Sequence, residues 1–335
     1  MALFSKDIGI DLGTICTRVC EGRQILLEEP TVAAIVVEEQ KMVAWGQEAQ
    51  NMYGRVPESM EVTRPLINGV IADYEVTEYI LQDLLKKVGG PLRIFRPQVM
   101  ITVPEGVTSV ERRAVHEAAL QAGSREAYLI QQPLAAALGI DLPIGTPSGN
   151  MILCLGGGAT QAAVIAMYGI VASETLRAGG MTLDESIVGY VRRKYGLIIG
   201  QLTAEQIKIS IGAAVPQDEE RSVELQGQDQ VTGLPRPVSL TTGEIVEAMQ
   251  EPLGDVVDAA RRVLEKTPPE LVSDIIDRGV AICGGGALLR GIDKLLTKEL
   301  GVPAYLVDNP TTCVAEGAAR GLSMYGLIRR NLPSV

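Results

Sequence analysis

The stretch that most restricts what this chain can fold into is one it carries twice. "IGIDLGTICTRV", Ile8 to Val19, is an apolar run broken by a Leu-Gly turn, after which a second run follows. "MILCLGGGATQAAV", Met151 to Val164, repeats that grammar with three glycines at the turn. A strand that stops at a glycine-rich turn exposes backbone N–H groups, and such groups bind phosphate. Two copies imply two similar lobes facing each other across a cleft, each supplying one phosphate loop. Laid over each other, the copies set Asp11 against Cys154. A third turn, "CGGGALLRG" at 283–291, follows a strand signal and leads into a helix. Its spacing is not G-x-G-x-x-G and no acid follows at the required distance, so a dinucleotide-binding Rossmann unit is a poor reading; no Walker A lysine pattern occurs either. A tight turn without a ligand is the plain alternative for any one glycine run. Three runs in this order point to a nucleotide.

Elsewhere strand and helix signals alternate, which argues for largely parallel sheets covered by helices. Capping boxes at Thr108-x-x-Glu111 and Thr203-x-x-Gln206 predict two helix starts. "TTCVAEGAARGLSMYGLIRR" reads as one helix, and "LPIGTPSG" at 142–149 as the hinge between halves. The polar stretch from Val215 to Glu244 reads as short strands in a separate, smaller subdomain. At 335 residues the chain exceeds what one core usually serves. Aromatics are only 4% of it, so the core must be aliphatic. A net charge of −11 opposes duplex nucleic acid as a partner. Five cysteines, an odd count without C-x-x-C spacing, suggest a reducing cytoplasm. No apolar run reaches the roughly 18 residues that span a bilayer.

Taken together, "DIGIDLGT", "TVPEGVTSVERRAV", "LGGGATQAAVI", "TAEQIKISIG", "KTPPELVSDIIDRG" and "GGGALLRGIDKLL" resemble the bacterial actin-like MreB family, in order and over essentially the whole chain. The resemblance implies an α/β, actin-like ATPase fold of the actin/Hsp70/sugar-kinase type. Each of its two lobes has a large RNase H-like subdomain and a smaller one. The expected division is 1–31, 77–142 and 315–335 for IA, 32–76 for IB, 143–183 and 254–314 for IIA, and 184–253 for IIB. It also implies ATP with Mg2+ in the cleft and self-assembly into filaments at the inner-membrane surface. Membrane proteins of the cell-wall elongation machinery are the implied partners, and maintenance of rod shape is the implied role.

Residue by residue, the resemblance assigns the first phosphate loop to Asp11, Gly13, Thr14, Ile15, Cys16 and Thr17, with Asp11 facing the metal through water. The second loop is Gly156, Gly157, Gly158 and Thr160, with Gly180 beyond it. Glu205 and Lys208, one helical turn apart, flank the ribose, with Gln206 and Ile207 between them. Gly284, Gly285, Gly286, Ala287, Leu288 and Leu289 wall the adenosine.

The family pattern breaks inside this site. Its second loop reads Asp-x-Gly-Gly-Gly-Thr-Thr-Glu, where this chain has Cys154, Ala159 and Gln161. Its "LIEEP" is "LIQQP" here, which makes Gln131 the catalytic candidate beside Gln132. Gly-Gly-Asp becomes Gly179-Gly180-Met181, and the usual Ala-Asn becomes Ile15-Cys16. A thiol is a poor acceptor for the waters of Mg2+, and a lost general base removes roughly 10²–10⁴ in rate. A glutamine still orients water. The expectation is ATP binding with a weakened Mg2+ site and slow or absent hydrolysis. The alternative is a regulatory pseudo-ATPase that caps or co-assembles with an MreB paralogue. Cys154 also suits a small buried hydrophobe.

"KKVGGPLRIFRPQ" at 86–98 sets Leu92, Ile94 and Phe95 among cationic side chains. Apolar wedges ringed by cations suit an anionic bilayer surface, and a loop at this place inserts into the membrane in the MreB family. Phe4 is the chain's only other phenylalanine and is expected to assist.

Overall fold

The computed structural model describes residues 7–89 and 96–334. Two five-stranded sheets organise it, and they share one topology. The first runs, edge to edge, Glu126–Gln131, Gln98–Val103, Asp7–Leu12, Cys16–Glu21 and Gln24–Pro30. The second runs Ala304–Leu306, Val280–Cys283, Asn150–Leu155, Thr160–Ala166 and Gly169–Leu176. In both, the central strand pairs in parallel with one neighbour and antiparallel with the other. The duplication read in the two loops therefore extends to whole sheets.

Those central strands are buried along nearly their full length, Asp7 alone being exposed, because both faces are covered. The outer layer of the second sheet includes the amphipathic helices Gly180–Tyr195 and Thr242–Lys266. Between the sheets lies a shared core. Met100 and Ile130 of the first sheet and Ile152, Ala163 and Ala281 of the second meet there, with helices Gln132–Gly139 and Cys313–Ser323. Small residues let those two helices approach closely. A Cβ added to Gly317 would collide with the carbonyl of Ala135, and one on Gly139 with the carbonyl of Cys313. Gly9 of the first strand is likewise pressed against Ala315 and Ala319.

Two three-stranded sheets form the smaller pieces, one from Lys41–Trp45, Ala33–Val36 and Met60–Thr63. The other is Leu197–Ile198, Ser222–Asp229 and Pro235–Thr241, the short-strand unit expected from the polar stretch.

Helix boundaries agree with the sequence at one cap and depart at another. Helix Ser109–Gln121 starts from the Thr108/Glu111 capping box. Helix Gln201–Ile211 instead starts after Gly200, so Thr203 sits inside the first turn and caps nothing. The chain enters that helix directly from strand Leu197–Ile198, and the tertiary connection overrides the local cap. A third box, Thr241 with Glu244, starts helix Thr242–Lys266. The helix expected over 311–330 divides at Met324 into Cys313–Ser323 and Tyr325–Ile328.

Candidate functional site

The two glycine turns end the paired central strands at the same edge, and between them opens a cleft of about 400 Å³. Their backbones repeat each other in detail. A Cβ on Gly13 would meet the Cys16 carbonyl at 2.6 Å, and one on Gly156 would meet the Ala159 carbonyl at 2.6 Å. The turns also touch. A Cβ on Gly158 would stand 2.5 Å from Thr14 Oγ1, and one on Gly157 would overlap the Ile15 side chain. The bare backbone of the second loop thus admits the side chains of the first. Thr14 is fixed further by accepting a 2.8 Å hydrogen bond from the Gly69 N–H.

Under the loops, cross-strand register sets which side chains face each other. Arg18 lies opposite Asp11 on the paired strands of the first lobe, and Gln161 lies opposite Cys154 in the second. Directly opposed residues of an antiparallel pair share a face and lie close together. Asp11 Oδ1 accepts from Thr102 Oγ1 at 2.8 Å and from Gln132 Nε2 at 3.4 Å. Burial pushes the Asp11 carboxyl above its ordinary range, while Arg18, Thr102 and Gln132 oppose that rise. Gln161 Nε2 donates to Gln132 Oε1, and Gln161 Oε1 accepts from the Glu105 N–H at 2.7 Å. Thr175 Oγ1 donates to the Glu105 carbonyl at 2.8 Å. The second lobe therefore grips residue 105 of the first from both sides of its peptide.

Cys154 lines the cleft and is buried, with its sulfur accepting from Cys283 Sγ at 3.3 Å. That bond, more than burial, holds the Cys283 thiol well above its ordinary pKa. At the far wall Lys208 Nζ pairs with Asp184 Oδ1 at 2.8 Å and donates to the Gly180 carbonyl at 2.8 Å. Burial pushes the Asp184 carboxyl up to about 6 against the pull of Lys208. Gly284 (φ +86°), Gly285, Gly286, Leu288 and Leu289 close the remaining side.

Most of the loop residues expected at a nucleotide line this cleft: Asp11, Gly13 to Cys16, Gly156 to Gly158, Gly180, Glu205, Lys208 and the Gly284 turn. Six expected residues do not. Thr17 is fully buried against Thr31, their hydroxyls 2.9 Å apart, because its side chain alternates to the opposite face of its strand. Thr160 is buried in the next strand for the same reason. On helix Gln201–Ile211 the cleft face carries Glu205 and Lys208, so Ile207 points into the core and Gln206 to solvent. Ala287 turns inward from its 3-10 turn.

The sixth is Gln131. Its Nε2 donates to the Asn331 carbonyl at 3.3 Å, and its buried Oε1 has no partner among the described residues. Gln131 ends a strand and Gln132 opens the following helix, so their side chains diverge; Gln132 is the one that reaches the cleft. Arg18 and Asp184 were missed altogether. Arg18 was legible in principle, since it sits in the first loop's copy where Gln161 sits in the second. Phe4, Leu92, Ile94 and Phe95 lie outside the described residues. Among the described residues no helix is long and apolar enough to cross a membrane.

Phosphates fit the cradle, because two glycine turns converge on one point. The donor set for a divalent cation is at its minimum. Mg2+ sites commonly use one or two carboxylates besides phosphate oxygens. The cleft floor offers Asp11 alone, and Oδ1 of that carboxylate is already bonded to Thr102 and Gln132. Among the described residues no group of three His, Cys, Asp or Glu side chains is placed to hold a metal.

Comparison with known proteins agrees with this architecture. Residues 5–330 match the family model described as MreB/Mbl protein. The cell shape-determining protein MreB of Escherichia coli (strain K12) is 46% identical over 328 residues, covering 96% of this chain and 94% of that protein. The cell shape-determining protein Mbl of Bacillus subtilis (strain 168) is 44% identical over 316 residues, covering 94% and 95%. Among solved structures, MreB5 of Spiroplasma citri bound to ADP superposes with a TM-score of 0.91 at 32% identity, covering 97% of this chain and 98% of that one. A MamK double helical filament, at 21% identity and a TM-score of 0.79 over 94% of this chain and 98% of that one, shares the fold. With its duplicated sheets and paired glycine turns on an actin-like fold, the chain belongs to the MreB/Mbl family.

Proposed function

We propose that this protein is an actin-like cytoskeletal subunit that binds ATP between its lobes, polymerises and helps determine cell shape. The observation that carries the reading is the cleft itself. Glycine turns from two topologically equivalent sheets meet there, beside the buried Lys208–Asp184 pair and a third glycine turn. Backbone N–H groups of Gly13, Thr14 and Gly156 to Gly158 would hold the phosphates. Glu205 and Lys208 would flank the ribose, and the turn from Gly284 would wall the base. The structures of MreB5 with ADP and with AMPPNP support an adenine nucleotide at this place.

The same reading takes the lobes to be divided into subdomains IA, IB, IIA and IIB at the boundaries given above. It places the filament in the cytoplasm against the inner membrane, beside membrane proteins of the cell-wall elongation machinery. Hydrolysis is slow or absent, because Gln132 and Cys154 offer an amide and a thiol where a carboxylate would activate water. Those replacements also favour a second reading, in which the chain co-assembles with or caps filaments of a paralogue. Pelleting and electron microscopy with ATP on anionic vesicles test the first reading. Filaments or sheets are expected from the protein alone. A monomer under every nucleotide and lipid condition, entering polymer only with a paralogue, would favour the second.

A further inference from the structure

Four side chains, one opposed pair from each lobe, set the charge at the floor of the cleft. Asp11 faces Arg18, and Cys154 faces Gln161. The formal charges of these four cancel, Gln132, which joins the two pairs by hydrogen bonds, adds none, and Glu28, which holds Arg18 from a half-exposed position, adds one negative charge. A divalent cation there would find one carboxylate, balanced by a guanidinium on the neighbouring strand. A polyphosphate would find the opposite. The other cations lining the cleft are engaged: Lys208 with Asp184 and the Gly180 carbonyl, and Arg290 with the carbonyls of Ile211 and Gly212. Arg18 differs in its place, on the strand that returns from the first glycine turn and directly opposite Asp11. Its Nε and Nη2 both donate to Glu28 Oε1, at 3.0 and 2.7 Å, and among the described residues its Nη1 has no protein acceptor. Its side chain is 16% exposed, and the surface it keeps opens into the cleft.

We propose that Arg18 supplies the positive charge for the nucleotide's phosphates, so that this cleft takes metal-free ATP about as well as its Mg2+ complex. The proposal rests on the reading of the cleft as a nucleotide site. A guanidinium is suited to the task, being planar, permanently charged and able to hold two phosphate oxygens. Glu28, whose side chain is about half exposed, orients it.

Calorimetric titration of ATP into the intact protein, in excess Mg2+ and in excess EDTA, tests this without recourse to turnover. Wild-type affinity is expected to change less than about threefold between the two, whereas removal of Arg18 by Arg18→Gln should cost about tenfold or more in EDTA, the worth of one charge-assisted hydrogen bond. Arg18→Lys should restore most of the loss. Glu28→Gln breaks the same ion pair but keeps the guanidinium, and should bind ATP at least as tightly as wild type. Cys154→Asp with Gln161→Glu should make binding depend on Mg2+. A wild-type protein that loses ATP more than about tenfold on chelation would overturn the proposal, since a metal would then carry the phosphate charge. So would equal losses in Glu28→Gln and Arg18→Gln, which would show a structural role only. Absence of ATP binding in either buffer would instead remove the nucleotide reading itself. Circular dichroism and melting curves confirm that each variant is folded.

Discussion

Gln131 and Gln132 are neighbours in sequence and strangers in space, and that divergence decides which of them can act on a bound nucleotide. Gln132 hydrogen-bonds Asp11 in the cleft, whereas Gln131 turns to the Asn331 carbonyl. Restoring acids with Cys154→Asp and Gln132→Glu should therefore raise phosphate release at least about tenfold, toward the range that a general base provides. Cys154→Asp with Gln131→Glu should leave it near the Cys154→Asp value. The Asp184–Lys208 pair gives a second measurement. Asp184 should titrate near pH 6 by carbon-detected NMR, and Lys208→Met should move it higher, because the cation alone opposes burial. The folded state holds this proton to a higher pH than the unfolded chain, whose carboxyl has a pKa of about 3.9. The group's contribution to stability thus falls as pH rises from about 4 to about 6, and is level above that. The glycine turns and the Asp11/Cys154 equivalence were legible because they are contiguous in sequence. Arg18 was not singled out because its role appears only once the return strand is paired and in register.

At the scale of elements, the close crossing of helices Gln132–Gly139 and Cys313–Ser323 depends on residues without side chains. Gly317→Ala would drive a methyl into the Ala135 carbonyl. Chemical unfolding should show a loss of about 1–3 kcal/mol, the usual penalty of overpacking. Gly326→Ala, in helix Tyr325–Ile328 with open space around it, should be neutral or stabilising by up to about 1 kcal/mol. Element type was readable from periodicity, and the Thr108 box marked its helix correctly. Thr203 misled because a capping box is a local signal, and the strand feeding that helix imposed an earlier start. The Thr241–Glu244 box carries the same signal and starts the longest helix.

For the whole molecule, the core between the sheets draws residues from both lobes, so the lobes should unfold together. Calorimetry is expected to show one transition that ATP moves upward, by about 2.7 kcal/mol of stability at a hundredfold excess over Kd. A second, ATP-insensitive transition would mean that the lobes are independent. The two-lobed plan was visible in the repeat; the shared core was not, because it is assembled from segments far apart in the chain. One of those segments has a bearing on biosynthesis. Helix Cys313–Ser323 packs Ala315 and Ala319 onto Gly9 of the very first strand. A ribosome adding roughly 5–20 residues per second must therefore translate past Ala319 before the lobe that holds Gly9 can close. Until then the opening strands wait with a naked face, where a chaperone would find its best opportunity.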